Sequence, residues 1–253
     1  MTPDEYLQKI LIREAVNTGP TSPLRNVLVT LQPIISAWAN QYLANIGPSG
    51  SFAKGTANHS GTDIDLFISL LDSTPDTLKQ IYDSLAKRLK DSGYTPRRQN
   101  VSINVKVSGY SVDLVPGKRQ DAYGSDHSLY RSKANTWTKT NVAKHVSYVQ
   151  SGGRIDEIRI LKLWRDQKGI EFPSFYLEMT VINALSGQYI GTLAGRVWKV
   201  FEYLRDTFPS ARVVDPANTN NVISDDLTVV GKARIKAVAE QALKATDWSQ
   251  IVT

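Results

Sequence analysis

Asp63 and Asp65 interrupt the start of an otherwise apolar run, Ile64, Leu66, Phe67, Ile68 and Leu70. No other feature constrains the chain as tightly. Side chains two apart in a strand share one face, so both carboxylates point the same way. With apolar residues on both faces, the strand is expected to be buried. Unpaired carboxylates beside a core are costly, and two of them repel unless something positive lies between them. A divalent cation is the simplest such partner, and magnesium prefers carboxylate and phosphate oxygens.

Upstream lies Gly50-Ser51-Phe52-Ala53-Lys54-Gly55-Thr56. It reads as a Gly-Ser turn opening a short helix, followed by a Gly-rich return to the strand. Gly50 lets the backbone approach a ligand closely, and Ser51 sits at a helix N-terminus, where amides suit a phosphate. Alone, a Gly-Ser is a turn and an Asp-x-Asp is a solvated strand end or a helix cap. In this order, with eleven residues between Ser51 and Asp63, they imply metal-assisted chemistry on a nucleoside triphosphate.

The 253 residues suffice for one large domain or two small ones. The formal net charge of +6 suits an anionic substrate such as a nucleotide. No cysteine is present, so disulfides and cysteine metal sites are excluded. Met1-Thr2-Pro3-Asp4-Glu5 lacks the basic and apolar regions of a signal peptide. No apolar run approaches the roughly 20 residues needed to span a bilayer. The expectation is a cytoplasmic protein with no membrane partner.

Taken in order, residues 4–17 and 24–45 carry helical apolar spacing, with Asp4 as the N-cap of the first helix and Pro33 kinking the second or marking its start. Both helices are expected to form a scaffold behind the Asp63 strand. Thr74-Pro75-Asp76 reads as the start of a helix that Gly93 ends. Residues 101–107 alternate strictly, Ser108-Gly109 turns the chain, and 110–116 runs back as a hairpin. The returning strand carries Asp113 between Val112 and Leu114. By itself Asp113 reads as a surface carboxylate on an edge strand. Beside Asp63 and Asp65 it is the third ligand that a two-metal site needs.

Residues 117–138 are polar and read as a long surface loop, with His127 solvated. From about 139 helices take over, at 140–150, 154–168, 174–186, 191–208 and 225–247, the last capped by Ser224 or Asp225. Arg212 to Val222 is a turn cluster. By spacing alone, Lys162 is a solvated lysine beside an apolar face and Ser174 an N-cap. Lys232, Arg234, Lys236 and Lys244 make one face of the last helix basic. The domains are therefore expected at 1–138, a catalytic core of N-terminal helices plus a mixed sheet, and at 139–253, a helical domain.

These residues together resemble one superfamily. Gly50-Ser51 to Asp63-x-Asp65 looks like the catalytic motif of polymerase-β-like nucleotidyltransferases, and Val112-Asp113-Leu114-Val115-Pro116 like their third-carboxylate strand. Leu161-Lys162-Leu163-Trp164 with Pro173-Ser174-Phe175-Tyr176-Leu177-Glu178, and Asp215-Pro216 to Asn220-Asn221-Val222, are similar to blocks shared by three groups. These are the bacterial CD-NTases (relatives of cGAS and DncV), the oligoadenylate synthases and the archaeal-type CCA-adding enzymes.

The resemblance implies an α+β fold: a nucleotidyltransferase sheet with flanking helices, then a helical domain that closes the nucleotide cleft. It implies that Asp63, Asp65 and Asp113 bind two Mg²⁺ ions, with Mn²⁺ as a substitute. It also implies that Gly50, Ser51, Lys162 and Ser174 hold the triphosphate, and that a residue near Phe175 closes the pocket. The chain is expected to lack room for the tRNA-holding domains of the CCA-adding group, and without cysteine it has no zinc insertion of the cGAS kind. The expected activity is template-independent synthesis of a nucleotide messenger or oligonucleotide from NTPs in bacterial antiphage defence, with a downstream effector protein as partner. One rival is a terminal transferase that extends an RNA or DNA 3′ end or builds a linear oligomer, its basic last helix on the acceptor. Another is an inactive nucleotide-sensing scaffold.

Overall fold

The computed structural model describes residues 1–61 and 63–253. In chain order the elements are α1 (Pro3–Arg13), α2 (Pro23–Ala39), β1 (Leu43–Pro48), α3 (Gly50–Lys54), β2 (Asp63–Leu70), α4 (Leu78–Asp91), β3 (Arg97–Arg98), β4 (Ile103–Val107) and β5 (Tyr110–Arg119). There follow β6 (His127–Arg131), β7 (Thr136–Thr140), α5 (Val142–Ser151), α6 (Ile155–Gln167), α7 (Ser174–Ala184), α8 (Leu193–Asp206), β8 (Val214–Asp215), β9 (Asn218–Val222) and α9 (Val229–Ala242). They fall into two compact units. One comprises Val16–Lys54 and Thr62–Val146, the other Met1–Ala15, Gly55–Gly61 and Ser147–Thr253.

The first unit is a mixed sheet in the order β1-β2-β5-β4-β3, extended by β6 on β5 and β7 on β6. β2 and β5 run parallel and their other neighbours antiparallel. On one face Ile64, Leu66, Ile68, Val112, Leu114, Ile103 and Val105 are buried against Val27, Leu31 and Ile35 of α2 and Ile81, Leu85 and Leu89 of α4. α4 begins with a capping box in which Thr77 and Gln80 satisfy each other's backbone amides, so it starts after the Thr74-Pro75-Asp76 expected from sequence. It ends as expected, on Gly93 at φ +88°. The tight turn between β4 and β5 has positive φ at both Ser108 and Gly109, the backbone that a two-residue hairpin twist requires.

Three expectations for this unit are corrected. The second helix stops at Ala39, and 43–48 is an edge strand, so Pro33 lies inside the helix and marks neither end. Asp113 lies on an internal strand, between β2 and β4. Residues 117–138 are not a loop. β5 continues to Arg119, and the β6–β7 hairpin pairs with its end, Lys118 with Ser128 and Arg119 with His127.

This pairing buries His127, expected to be solvated, to 6% exposure. Its Nδ1–H donates to the Ser125 carbonyl at 2.9 Å, which leaves Nε2 to accept from Ser69 Oγ at 2.8 Å. Ser69 Oγ in turn accepts from Arg119 Nε at 3.3 Å. Burial, chiefly, pushes the imidazole pKa below 6.5, and the Arg119 charge adds to that shift. The unfolded chain therefore binds this proton more readily than the folded one. Stability is lost as pH falls from about 6.5 through the folded value. The urea midpoint of the wild type is expected to fall more between pH 7.5 and 5.5 than that of His127→Gln. Equal losses in the two proteins would refute the assignment.

The second unit is helical, with Trp164, Tyr176, Phe201 and Phe208 fully buried at its core. α1 belongs here rather than behind the sheet: Leu7, Ile10 and Leu11 join this core. Its cap is Thr2, in a capping box with Glu5. Asp4, expected in that role, instead accepts from the first amides of α8, Leu193 at 3.3 Å and Ala194 at 2.8 Å. Likewise α9 is capped by Thr228, not by Ser224 or Asp225. Within the expected turn cluster, Val214 to Val222 forms a small hairpin of β8 and β9. Among the described residues no helix is long and apolar enough to cross a membrane.

Candidate active site

The parallel register of β2 and β5 sets Asp65 beside Asp113 and Asp63 beside Ser111. Registered neighbours in a sheet share a face, so all three carboxylates stand on the polar face, opposite the core. Asp63 is exposed, and Asp65 and Asp113 are half-buried. Burial is the main influence raising the Asp113 pKa above the ordinary carboxylate value; the Asn104 hydrogen bond opposes it, the Asp63 charge adds to it and the Arg97 charge opposes it.

The Gly-Ser turn is built onto this cluster. Gly50 opens α3 with φ at +54°, and a Cβ there would lie 1.8 Å from Asp65 Oδ2. Only glycine fits, for both its backbone and its space. The Ser49 amide donates to the Asp65 carbonyl at 2.8 Å, which fastens the turn to β2. Ser51, next in α3, is half-buried.

Two supporting residues were missed from sequence. Asn104, itself buried on β4, donates to Asp113 Oδ1 at 2.7 Å and to Ser111 Oγ at 2.9 Å. Gln99 donates to the same Oδ1 at 3.2 Å. The available signal was Asn104 itself, an amide in the strictly alternating Val101–Val107 run, two strand positions from the exposed Lys106. Among the described residues no group of three or more His, Cys, Asp or Glu is already gathered as a metal-ligand cluster. The donor chemistry still fits a hard divalent cation, since carboxylate oxygens from two adjacent strands share one sheet face.

Lys162 and Ser174 lie in the helical unit. Lys162 is 5% exposed. Its ammonium donates to Glu178 Oε1 at 2.6 Å, Thr56 Oγ1 at 2.8 Å and the Thr56 carbonyl at 3.4 Å. Thr56 Oγ1 donates to the same Glu178 oxygen at 2.8 Å. This buried knot ties the Gly55–Gly61 return segment to α6 and α7. Ser174 is exposed at the first position of α7, and its hydroxyl accepts from Arg165 Nη1 at 2.9 Å. Phe175 is half-buried against the helical core.

No protein-family model matches the chain. Cyclic AMP-AMP-AMP synthase of Escherichia coli strain MS 115-1 is 23% identical over 240 residues, covering 79% of this chain and 74% of that protein. The solved structure of E. coli MS115-1 CdnC with ATP superposes with a TM-score of 0.78 at 21% identity, over 98% of this chain and 92% of that one. Elizabethkingia meningoseptica CdnE cyclic dinucleotide synthase, solved with GTP and Apcpp, gives 0.74 at 16% identity over 97% and 100%. At these identities the structural likeness carries the fold.

Proposed function

We propose that this chain is a polymerase-β-like nucleotidyltransferase that joins nucleoside triphosphates without a template into a cyclic oligonucleotide messenger. The single observation that carries the reading is the Asp65–Asp113 register, on the same face as Asp63, with Gly50 seated on Asp65. The curated relative's name, a synthase of a cyclic adenylate trimer, supports an oligoadenylate product.

In this reading a ribose hydroxyl oxygen bonds to the α-phosphorus of a second triphosphate, the α–β bridging bond breaks, and pyrophosphate leaves. Asp63, Asp65 and Asp113 would hold Mg²⁺, with Mn²⁺ as a substitute; when bound, two such ions supply Lewis-acid polarisation and charge neutralisation. Asn104 and Gln99 both bond Asp113 Oδ1, so Oδ2 is the atom assigned to take the hydroxyl proton. Gly50, Ser51, Lys162 and Ser174, the last exposed beside Arg165, are assigned to triphosphate binding. Positioning and charge neutralisation supply most of the rate. A cytoplasmic setting, a role in antiphage defence and an effector protein that reads the product belong to the same proposal. A CdnC structure solved in complex with HORMA supports a protein partner.

The test is incubation with each labelled NTP and dNTP plus Mg²⁺ or Mn²⁺, with pyrophosphate measured and products resolved by mass spectrometry before and after phosphatase. The expected product resists phosphatase. A phosphatase-sensitive ladder would favour terminal transfer, and nucleotide binding without pyrophosphate would favour the sensing scaffold.

A further inference from the structure

Gly55–Gly61, the segment that leads toward β2, packs with the helical unit, although α3 before it and β2 after it belong to the sheet unit. The Lys162 knot holds its start at Thr56. A second set of bonds, which the reading above does not use, holds its end. Asn58 is 5% exposed. Its Nδ2 donates to the Arg159 carbonyl at 2.9 Å, and its Oδ1 accepts from Arg159 Nε at 3.1 Å. Arg159 Nη2 donates in turn to the Leu11 carbonyl at 3.0 Å. Glu14 is 7% exposed where α1 ends. Its Oε2 accepts from the Ser60 amide at 2.9 Å, and its carbonyl accepts from the His59 amide at 3.0 Å. The Gly61 amide donates to the Asn58 carbonyl at 3.2 Å and closes the turn.

Buried amides and carboxylates cost free energy unless they are bonded. A turn whose tip, His59 and Ser60, is exposed has water to satisfy it and does not need them. What Glu14 and Asn58 add is a fixed backbone position. The chain beyond shows where that position matters. Ser60 precedes Asp63 by three residues, about 11 Å of chain at full extension. Asp63 is also the carboxylate with the least support. The register of β1 with β2 runs from Leu70 to Leu66 and stops there. The Ser49 amide then holds the Asp65 carbonyl at 2.8 Å. Among the described residues, strand pairing gives Asp63 only β5, opposite Ser111. Its placement therefore depends on the chain that enters it.

We infer that Glu14 and Asn58 are positioning residues, which fix the 58–61 turn and so hold Asp63 where a divalent cation needs it. The inference rests on the assignment of Asp63 to the metal. Neither residue is assigned a contact with cation or substrate; both act through the backbone that leads to Asp63. A displacement of roughly 1 Å is enough to matter at a reacting centre, and partners that orient a metal's ligands are worth about 10–100-fold in affinity.

The experiment follows Mn²⁺ binding to the full chain by electron paramagnetic resonance. The nucleotide is ATP with methylene in place of the α–β bridging oxygen, so no pyrophosphate can leave. Glu14→Ala and Asn58→Ala are each expected to weaken Mn²⁺ binding by about tenfold or more. Glu14→Ala keeps the backbone bond to His59, so either variant that folds decides the matter, and circular dichroism checks folding. Glu14→Gln keeps an acceptor for the Ser60 amide and is expected to bind Mn²⁺ as the wild type does. Binding of the same analogue in EDTA reads the grip on triphosphate alone and is expected to stay unchanged throughout. Ile10→Val trims the buried face of α1; it is expected to lower the melting temperature and leave Mn²⁺ affinity alone. Wild-type Mn²⁺ affinity in the alanine variants overturns the inference. An equal loss in Ile10→Val does so too, because it traces the effect to stability. Asp63→Ala separates this inference from the reading beneath it. Retained Mn²⁺ affinity there removes Asp63 from the metal site and takes the inference with it. Loss there, with none in Glu14→Ala or Asn58→Ala, refutes the positioning role and leaves the metal assignment standing.

Discussion

Replacing Asp63 and Asp65 together by Ala is expected to lower pyrophosphate release by at least about 10⁴-fold, which corresponds to about 5.5 kcal/mol of transition-state stabilisation. The expected effect is large because the proposed reaction uses both carboxylates together with Asp113, on the strand registered beside theirs, and residues that work as a unit lose nearly everything when any member goes. Folding is expected to survive. Asp63 is exposed and Asp65 half-buried, and removal of Asp63 also removes a like charge that raises Asp113. Asp65→Asn keeps the shape beside Gly50 and is expected to lose activity almost as far, which separates charge from packing. Far-UV circular dichroism and a thermal midpoint within a few degrees of wild type would show that the loss is chemical. Turnover retained within tenfold would remove these residues from the reaction.

The second large effect is expected at Lys162. Its partner Glu178 is completely buried and the pair is 2.6 Å apart. Lys162→Met would leave that carboxylate without its cation, at a cost of about 3–5 kcal/mol. Replacing both, Lys162→Met with Glu178→Leu, is expected to return most of that stability, because a well-packed apolar pair often equals a buried ion pair. The double variant therefore isolates the second role assigned to Lys162. A lysine ammonium has three protons, and the Glu178 and Thr56 bonds account for three. Contact with phosphate requires one of them to be exchanged. In the double variant the KM for triphosphate is expected to stay at least about tenfold raised, the size of one lost charge-assisted hydrogen bond, while the melting temperature recovers. Recovery of both would assign Lys162 to the ion pair alone.

Elements governed by local periodicity were legible. β2, the hairpin of β4 and β5, and α6 to α8 lie close to where spacing put them, because an apolar stripe or alternation must be buried whatever covers it. The identity of the covering element was not legible. The stripe of Leu7, Ile10 and Leu11 says that α1 buries a face, and says nothing of whether helices or a sheet receive it. His127 and Lys162 failed for a related reason. A polar residue reads as solvated unless its neighbours demand otherwise, and here the neighbours come from distant segments. β5 and Ser69 enclose the imidazole, and Thr56 and Glu178 enclose the ammonium. α6 is buried from Glu157 to Trp164 with a single break at Arg159, and Lys162 is enclosed although Asp166, one turn on along the same face, is exposed.

By itself, the order of residues determined the chemical inventory: carboxylates at 63, 65 and 113, a Gly-Ser at 50 and 51, and a strand period that sends Asp63 and Asp65 to one face. Tertiary structure alone decided the register that sets Asp113 against Asp65 across two parallel strands, the contact that forbids a side chain at Gly50, and the amides of Asn104 and Gln99 that hold Asp113. The division has a physical cause. Backbone geometry within one strand is local and follows from the peptide unit, whereas pairing between strands separated by a helix and a hairpin depends on how the whole core closes.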